Sequence, residues 1–120
     1  MTREEVATLF DDAAVLLVEA ELLRDQPIDV LEDSIGRTTI ISVGLEAGGD
    51  LTGAALTHRL DLLAENLVAL RTLLDSGPLT VYPTALRELP DAESRLRDRL
   101  TRGVELAQRA VNEARKLTDP

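Results

Sequence analysis

Leucines recur at alternating steps of four and three residues through the middle of the chain: Leu56, Leu60, Leu63, Leu67, Leu70 and Leu74. This spacing is a heptad seam, the pattern of a helix packed lengthwise against other helices. No Gly or Pro interrupts Ala54 to Ser76. The pattern predicts a central helix from about Leu51 to Asp75. It carries a further apolar line, Ala55, Leu62, Ala69 and Leu73, outside the main seam.

The same periodicity predicts three more helices. The first runs from about Arg3 to Arg24, opened by a Thr2–Glu5 capping box that satisfies two free amides. Its seam is Val6, Leu9, Ala13, Leu16, Ala20 and Leu23, and a second line, Val15, Val18 and Leu22, lies on another face. Ala13 to Val18 is apolar all round, which in a helix implies burial on every side. A four-helix bundle leaves one face of each helix wet, so this segment predicts a further partner, such as a second copy of the chain. Pro27 ends this helix.

The second helix is expected from Asp29 to about Ala47, with Leu31, Ile35, Thr38, Ser42 and Leu45 as its seam, flanked by Val30 and Ile41. Thr38-Thr39-Ile40-Ile41 is β-branched and favours a strand. A lone strand would have nothing to pair with, so the reading is helix. Gly48-Gly49 stops it, and Ser76-Gly77-Pro78 closes the central helix. Leu79 to Leu89 reads as a connector, with Pro83 and Pro90 bracketing one turn at Thr84 to Glu88. Leu79, Val81, Tyr82 and Leu86 are placed to fold back onto the bundle end. The last helix is expected from Asp91 to Leu117, along Leu96, Leu100, Gly103, Ala107, Ala110, Ala114 and Leu117, with Val104 and Val111 beside them. The fold class is therefore all-α: an antiparallel four-helix bundle with a short irregular or single-turn connector before the last helix, one domain over residues 1–120.

Composition refines this picture. Phe10 and Tyr82 are the only aromatics, so the core is aliphatic and base-stacking surfaces are missing. The formal net charge is −9, which repels phosphate backbones and argues against nucleic acid. The charge is uneven. Residues 1–29 hold eight acidic and two basic side chains, whereas residues 76–120 hold seven acidic and eight basic. An acidic first helix lying near an arginine-rich last helix accounts for the asymmetry. There is no cysteine, hence no disulfide or thiolate chemistry. The longest apolar run, Ala13 to Val18, is too short to span a bilayer, and the N-terminal residues lack a signal-peptide core. The expectation is a cytoplasmic protein away from membranes.

Candidate chemistry is sparse. His58 is the only histidine and falls outside the seam. The string Thr57-His58-Arg59-Leu60 resembles the phospho-acceptor box of some sensor kinases over these few residues. The resemblance implies a histidine phosphotransfer role with His58 as acceptor. Asp61 and Leu62 stand where such boxes carry Lys, Gly or Asn, and Asp61 would repel an incoming phosphoryl group. One histidine cannot build the paired Glu-x-x-His motifs of a di-iron bundle. The carboxylates Glu4, Glu5, Glu19, Glu21, Glu32 and Asp33 do not form the E-E-x-x-E and E-x-x-D pattern of all-α magnesium-dependent nucleotide hydrolases. Arg95, Arg99 and Arg102 share a helix face among interleaved acids, which suits intramolecular ion pairs. Gly48-Gly49 lacks the lysine and spacing of a phosphate loop.

The surplus apolar lines remain: Val15, Val18 and Leu22 on the first helix, and Leu62, Ala69 and Leu73 on the third. Extended apolar surface marks a protein contact. The expectation is a non-catalytic module that works by protein–protein interaction, as a homodimer or with another protein, without cofactor, metal or evident small-molecule ligand. The competing account of the two lines is that the second helix and the connector cover them. Phosphotransfer through His58 is the first functional alternative, and a magnesium-dependent nucleotide hydrolase the second.

Overall fold

The computed structural model describes residues 1–76, 79–81 and 87–118. Four helices run through them: α1 (Arg3–Leu23), α2 (Asp29–Leu45), α3 (Gly53–Ser76) and α4 (Ala92–Thr118). They form an antiparallel four-helix bundle. Each helix packs on two neighbours, α1 on α2 and α4, and α3 on α2 and α4, so α1 and α3 sit at opposite corners.

Cross-helix contacts fix the directions. Ser42 on α2 meets Ala7 and Asp11 on α1, while Arg24 just past α1 meets Glu32. Arg115 on α4 reaches Asp61 on α3 at 3.0 Å, and Arg97 donates to the Leu74 carbonyl at 2.8 Å. Arg99 pairs with Glu19 at 2.7 Å, joining the arginine-rich helix to the acidic one. Both partners are partly exposed, so this pair contributes at most about 1 kcal/mol and mainly sets orientation.

The leucine seam is the centre of the core. Leu56, Leu60, Leu63, Leu67 and Leu70 are all buried, and Leu74 is half-buried. Across from them, Leu96, Leu100, Ala107, Ala110 and Ala114 line α4. The alanines and Gly103 of α4 let α1 and α4 approach closely. A Cβ on Gly103 would stand 2.8 Å from the Leu17 Cδ2 and 3.3 Å from the Leu16 Cβ. The Thr2 capping box is formed: the Glu5 amide donates to Thr2 Oγ1 and the Thr2 amide to Glu5 Oε1, each at 3.1 Å.

Two local readings need correction. On α1 the expected seam residues Val6, Ala13 and Ala20 are buried, but Leu9 and Leu16 are half-buried, and the large core side chains are Phe10 and Leu17. Ala13 to Val18 keeps one face open in the single chain, as the wet face of a bundle helix implies, because Val15 and Val18 face out. The third helix begins at Gly53, not Leu51. Leu51 is held in the preceding turn, where its amide donates to the Gly44 carbonyl at 3.2 Å and its side chain occupies the space a Cβ on Gly44 would need.

Residues 38–43 are helical despite their β-branching. Among the connector residues described, Leu79 and Val81 are buried, and the Asp25 amide donates to the Thr80 carbonyl at 3.0 Å. This stretch thus folds back against the end of α1. Tyr82, Pro83 and Leu86, with most of the turn expected at Thr84 to Glu88, lie outside the described residues; Arg87 and Glu88 have helical backbone. Among the described residues no helix is long and apolar enough to cross a membrane.

Candidate docking face on the first two helices

The two surplus apolar lines have different fates. Leu62 and Leu73 on α3 are half-buried, and Ala69 is exposed. Leu73 packs against the core and, with Ile28 and Leu79, lines a small cleft at the start of α2. The α1 line is open: Val15 is 56 % exposed, Val18 38 % and Leu22 71 %. Because α1 and α3 are diagonal in the bundle, the two lines do not form one surface.

The α1 line has companions on α2 that its sequence pattern did not single out. Ile40 and Val43 are exposed, and so is Gly36, one turn before Ile40. The seam residues Leu31, Thr38, Ser42 and Leu45 point inward, which turns positions 36, 40 and 43 outward. The contacts of Ser42 with Asp11 and of Glu32 with Arg24 set the register, so Val15 to Leu22 runs alongside the middle of α2. Val18 stands two turns beyond Asp11, on the edge of α1 next to α2. Of the seven large apolar side chains exposed among the described residues, five lie on this outer surface of α1 and α2; the others are Met1 and Val68. An off-seam line at positions 36, 40 and 43 was visible in the sequence, but the β-branched run around it hid its direction.

Under this surface lies a row of buried hydroxyls at four-residue spacing: Ser34, Thr38 and Ser42, each fully buried. Ser34 Oγ donates to the Val30 carbonyl at 2.6 Å. Ser42 Oγ lies 3.1 Å from both the Ala7 carbonyl and Asp11 Oδ1. Thr38 Oγ1 and Asn66 Nδ2 are buried without a hydrogen-bond partner. Sequence spacing placed Thr38 and Ser42 on the seam and missed Ser34.

The other candidate groups are scattered. His58 is exposed on α3, and the neighbouring Asp61 is engaged by Arg115. Glu5 is used in the cap, Glu19 faces Arg99, and Glu21 and Glu32 hold Arg24 at 3.2 and 2.7 Å. No group of three or more potential metal ligands gathers among the described residues. Arg95 pairs with Asp91, and Arg102 approaches Asp98. A cleft of about 270 Å³ between α3 and α4 is lined by Arg71, Asp75, Arg97, Thr101 and Glu105, a mixture of both charges. His58 lies outside it.

No protein-family model matches this chain, and no curated protein or solved structure matches it. The functional reading therefore rests on the surface described above.

Proposed function

We propose that this chain is a non-catalytic helical module that acts by docking another protein on the outer surface of α1 and α2. The supporting observation is the concentration there of Val15, Val18, Leu22, Ile40 and Val43, exposed together on adjacent helices. Exposed apolar side chains scattered singly are ordinary; a cluster on one helix pair costs solubility and is the usual mark of a contact. Self-association through this surface is one form of the reading, and an accessory, scaffold or regulatory contact with a different chain is the other.

The test is crosslinking in cells that express either the wild-type chain or a Val15→Ser, Val18→Ser, Leu22→Ser variant with unchanged helicity. The proposal expects a discrete adduct that the variant loses. The same adducts in both would contradict it.

The alternative, phosphotransfer through His58, draws on its exposed position part-way along α3. It requires an acid-labile phosphoryl label, acquired from a donor kinase and absent from His58→Ala. A nucleotide hydrolase would require magnesium-dependent turnover of nucleoside triphosphates.

A further inference from the structure

The charge around the α1–α2 surface selects its occupant. Residues 1–47, which hold both helices, carry eleven acidic and three basic side chains, a balance of −8. The rest of the chain carries eleven acidic and ten basic, a balance of −1. Nearly all of the molecule's net charge therefore belongs to the helix pair that carries the exposed apolar cluster.

Two of the three arginines in this half are occupied within the fold. Arg3 donates to the Gly44 carbonyl at 3.0 Å, and Arg24 is held by Glu21 and Glu32. Asp12, Asp29 and Asp33 are exposed on the same two helices. On α1 and α2 acids therefore outnumber cations around the apolar cluster, with Arg37 half-buried on α2 and Arg102 and Arg109 of α4 beside Leu16 on the far edge of α1.

A second copy of the chain is a poor complement to this surface. Two-fold pairing would oppose the α1–α2 face with itself and bring two net-acidic helix pairs together, and like charge across an interface is unfavourable. Head-to-tail pairing would offer the arginine-rich α4, but its Arg95, Arg99, Arg102 and Arg115 are already engaged by Asp91, Glu19, Asp98 and Asp61. The complement is an aliphatic stripe flanked by Lys or Arg, and an amphipathic helix supplies both in one element.

Gly36 adds a steric argument. It is exposed in the interior of α2, and a Cβ there would meet nothing within 4 Å. The fold has no packing need for glycine at this position, and glycine inside a helix lowers stability relative to alanine. A bare backbone on the outer surface does allow a second helix to approach closely. We infer that the α1–α2 face binds a basic amphipathic helix of a different protein, with Val15, Val18, Leu22, Ile40 and Val43 covering its apolar stripe and the acidic side chains of α1 and α2 meeting its cations.

This inference rests on the docking reading above and narrows it. The probe is a short synthetic helical peptide with a leucine stripe flanked by lysines. Controls are the same peptide with glutamates in place of the lysines and a scrambled lysine peptide without amphipathic order. Binding is followed by fluorescence anisotropy across a salt series.

The expected result is binding of the ordered lysine peptide alone, weakened by salt. Asp12→Lys with Asp33→Lys should raise its Kd by about tenfold or more, since these charges face the ligand. Glu65→Lys with Glu93→Lys makes the same change in net charge on α3 and α4 and should leave the Kd nearly unchanged. No binding of the lysine peptide, equal binding of the scrambled peptide, or equal effects of the two charge variants would overturn the inference. If the glutamate peptide binds instead and Val18→Ser abolishes that, the face docks a partner but not a basic one. If the chain self-associates on concentration and Val18→Ser prevents it, the occupant is a second copy. Either of these results overturns the basic-helix inference while leaving the docking face in place.

Discussion

The Ser42 hydroxyl of α2 lies 3.1 Å from the Asp11 carboxylate and 3.1 Å from the Ala7 carbonyl of α1. One proton is shared between two acceptors on the neighbouring helix. Ser42 is fully buried, so this contact fixes the register of the two helices that carry the apolar cluster. Ser42→Ala should destabilise the bundle by about 1 kcal/mol, the usual net worth of a buried hydrogen bond. Chemical denaturation measures this directly, and an unchanged midpoint would show that the bond contributes nothing.

Thr38 stands one turn before Ser42 and behaves differently. Its side chain is fully buried and Oγ1 has no partner. Valine has nearly the same shape without the unmet polar group. Thr38→Val is therefore expected to stabilise the fold by about 1 kcal/mol, against the loss expected at Ser42. Thermal unfolding of the two single variants side by side checks the contrast.

Two helix-interior glycines predict opposite signs. At Gly103 a Cβ would press on Leu17 and Leu16 across the α1–α4 contact. Gly103→Val should cost about 1–3 kcal/mol through overpacking. At Gly36 a Cβ meets open space. Gly36→Ala should stabilise the free protein by up to about 1 kcal/mol, while weakening capture of a helical ligand on this face. Denaturation midpoints and peptide binding together separate the two effects.

The Glu5 carboxyl is held below the ordinary glutamate range by hydrogen bonds from the Thr2 backbone and side chain. A carboxyl whose pKa is lower in the folded than in the unfolded state adds stability above its unfolded pKa, and loses it as pH falls through the folded value. Glu5→Gln keeps a hydrogen-bond acceptor but does not titrate. Wild type should be the more stable at neutral pH, with the difference closing on acidification below the usual carboxylate range. Unfolding midpoints of both proteins across that interval test the sign.

Where the apolar period was clean, the sequence alone identified the buried residues. Leu56 to Leu70 on α3 and Leu96 to Ala114 on α4 occupy the core positions their spacing predicts. The Thr2–Glu5 cap was equally legible, because capping depends on adjacent residues only. Periodicity was partly right on α1: Val6, Ala13 and Ala20 are buried as expected, but unbroken apolar residues from Ala13 to Val18 blur the inward face, and packing chose Phe10 and Leu17 over Leu9 and Leu16. It also could not separate Leu73, which packs against the core beside a cleft shared with Ile28 and Leu79, from Val15 and Leu22, which no described residue covers. That distinction depends on which helices are neighbours. Ile40 and Val43 were missed because β-branched residues on both faces of α2 blur its direction.

The most direct measurement is methyl chemical-shift mapping during titration with the ordered lysine peptide. The account predicts that Val15, Val18, Leu22, Ile40 and Val43 shift together and saturably, while Val68, exposed on α3, stays in place. Shifts centred on Val68 and α4, or saturable binding that leaves the five α1–α2 methyl groups untouched, would contradict it.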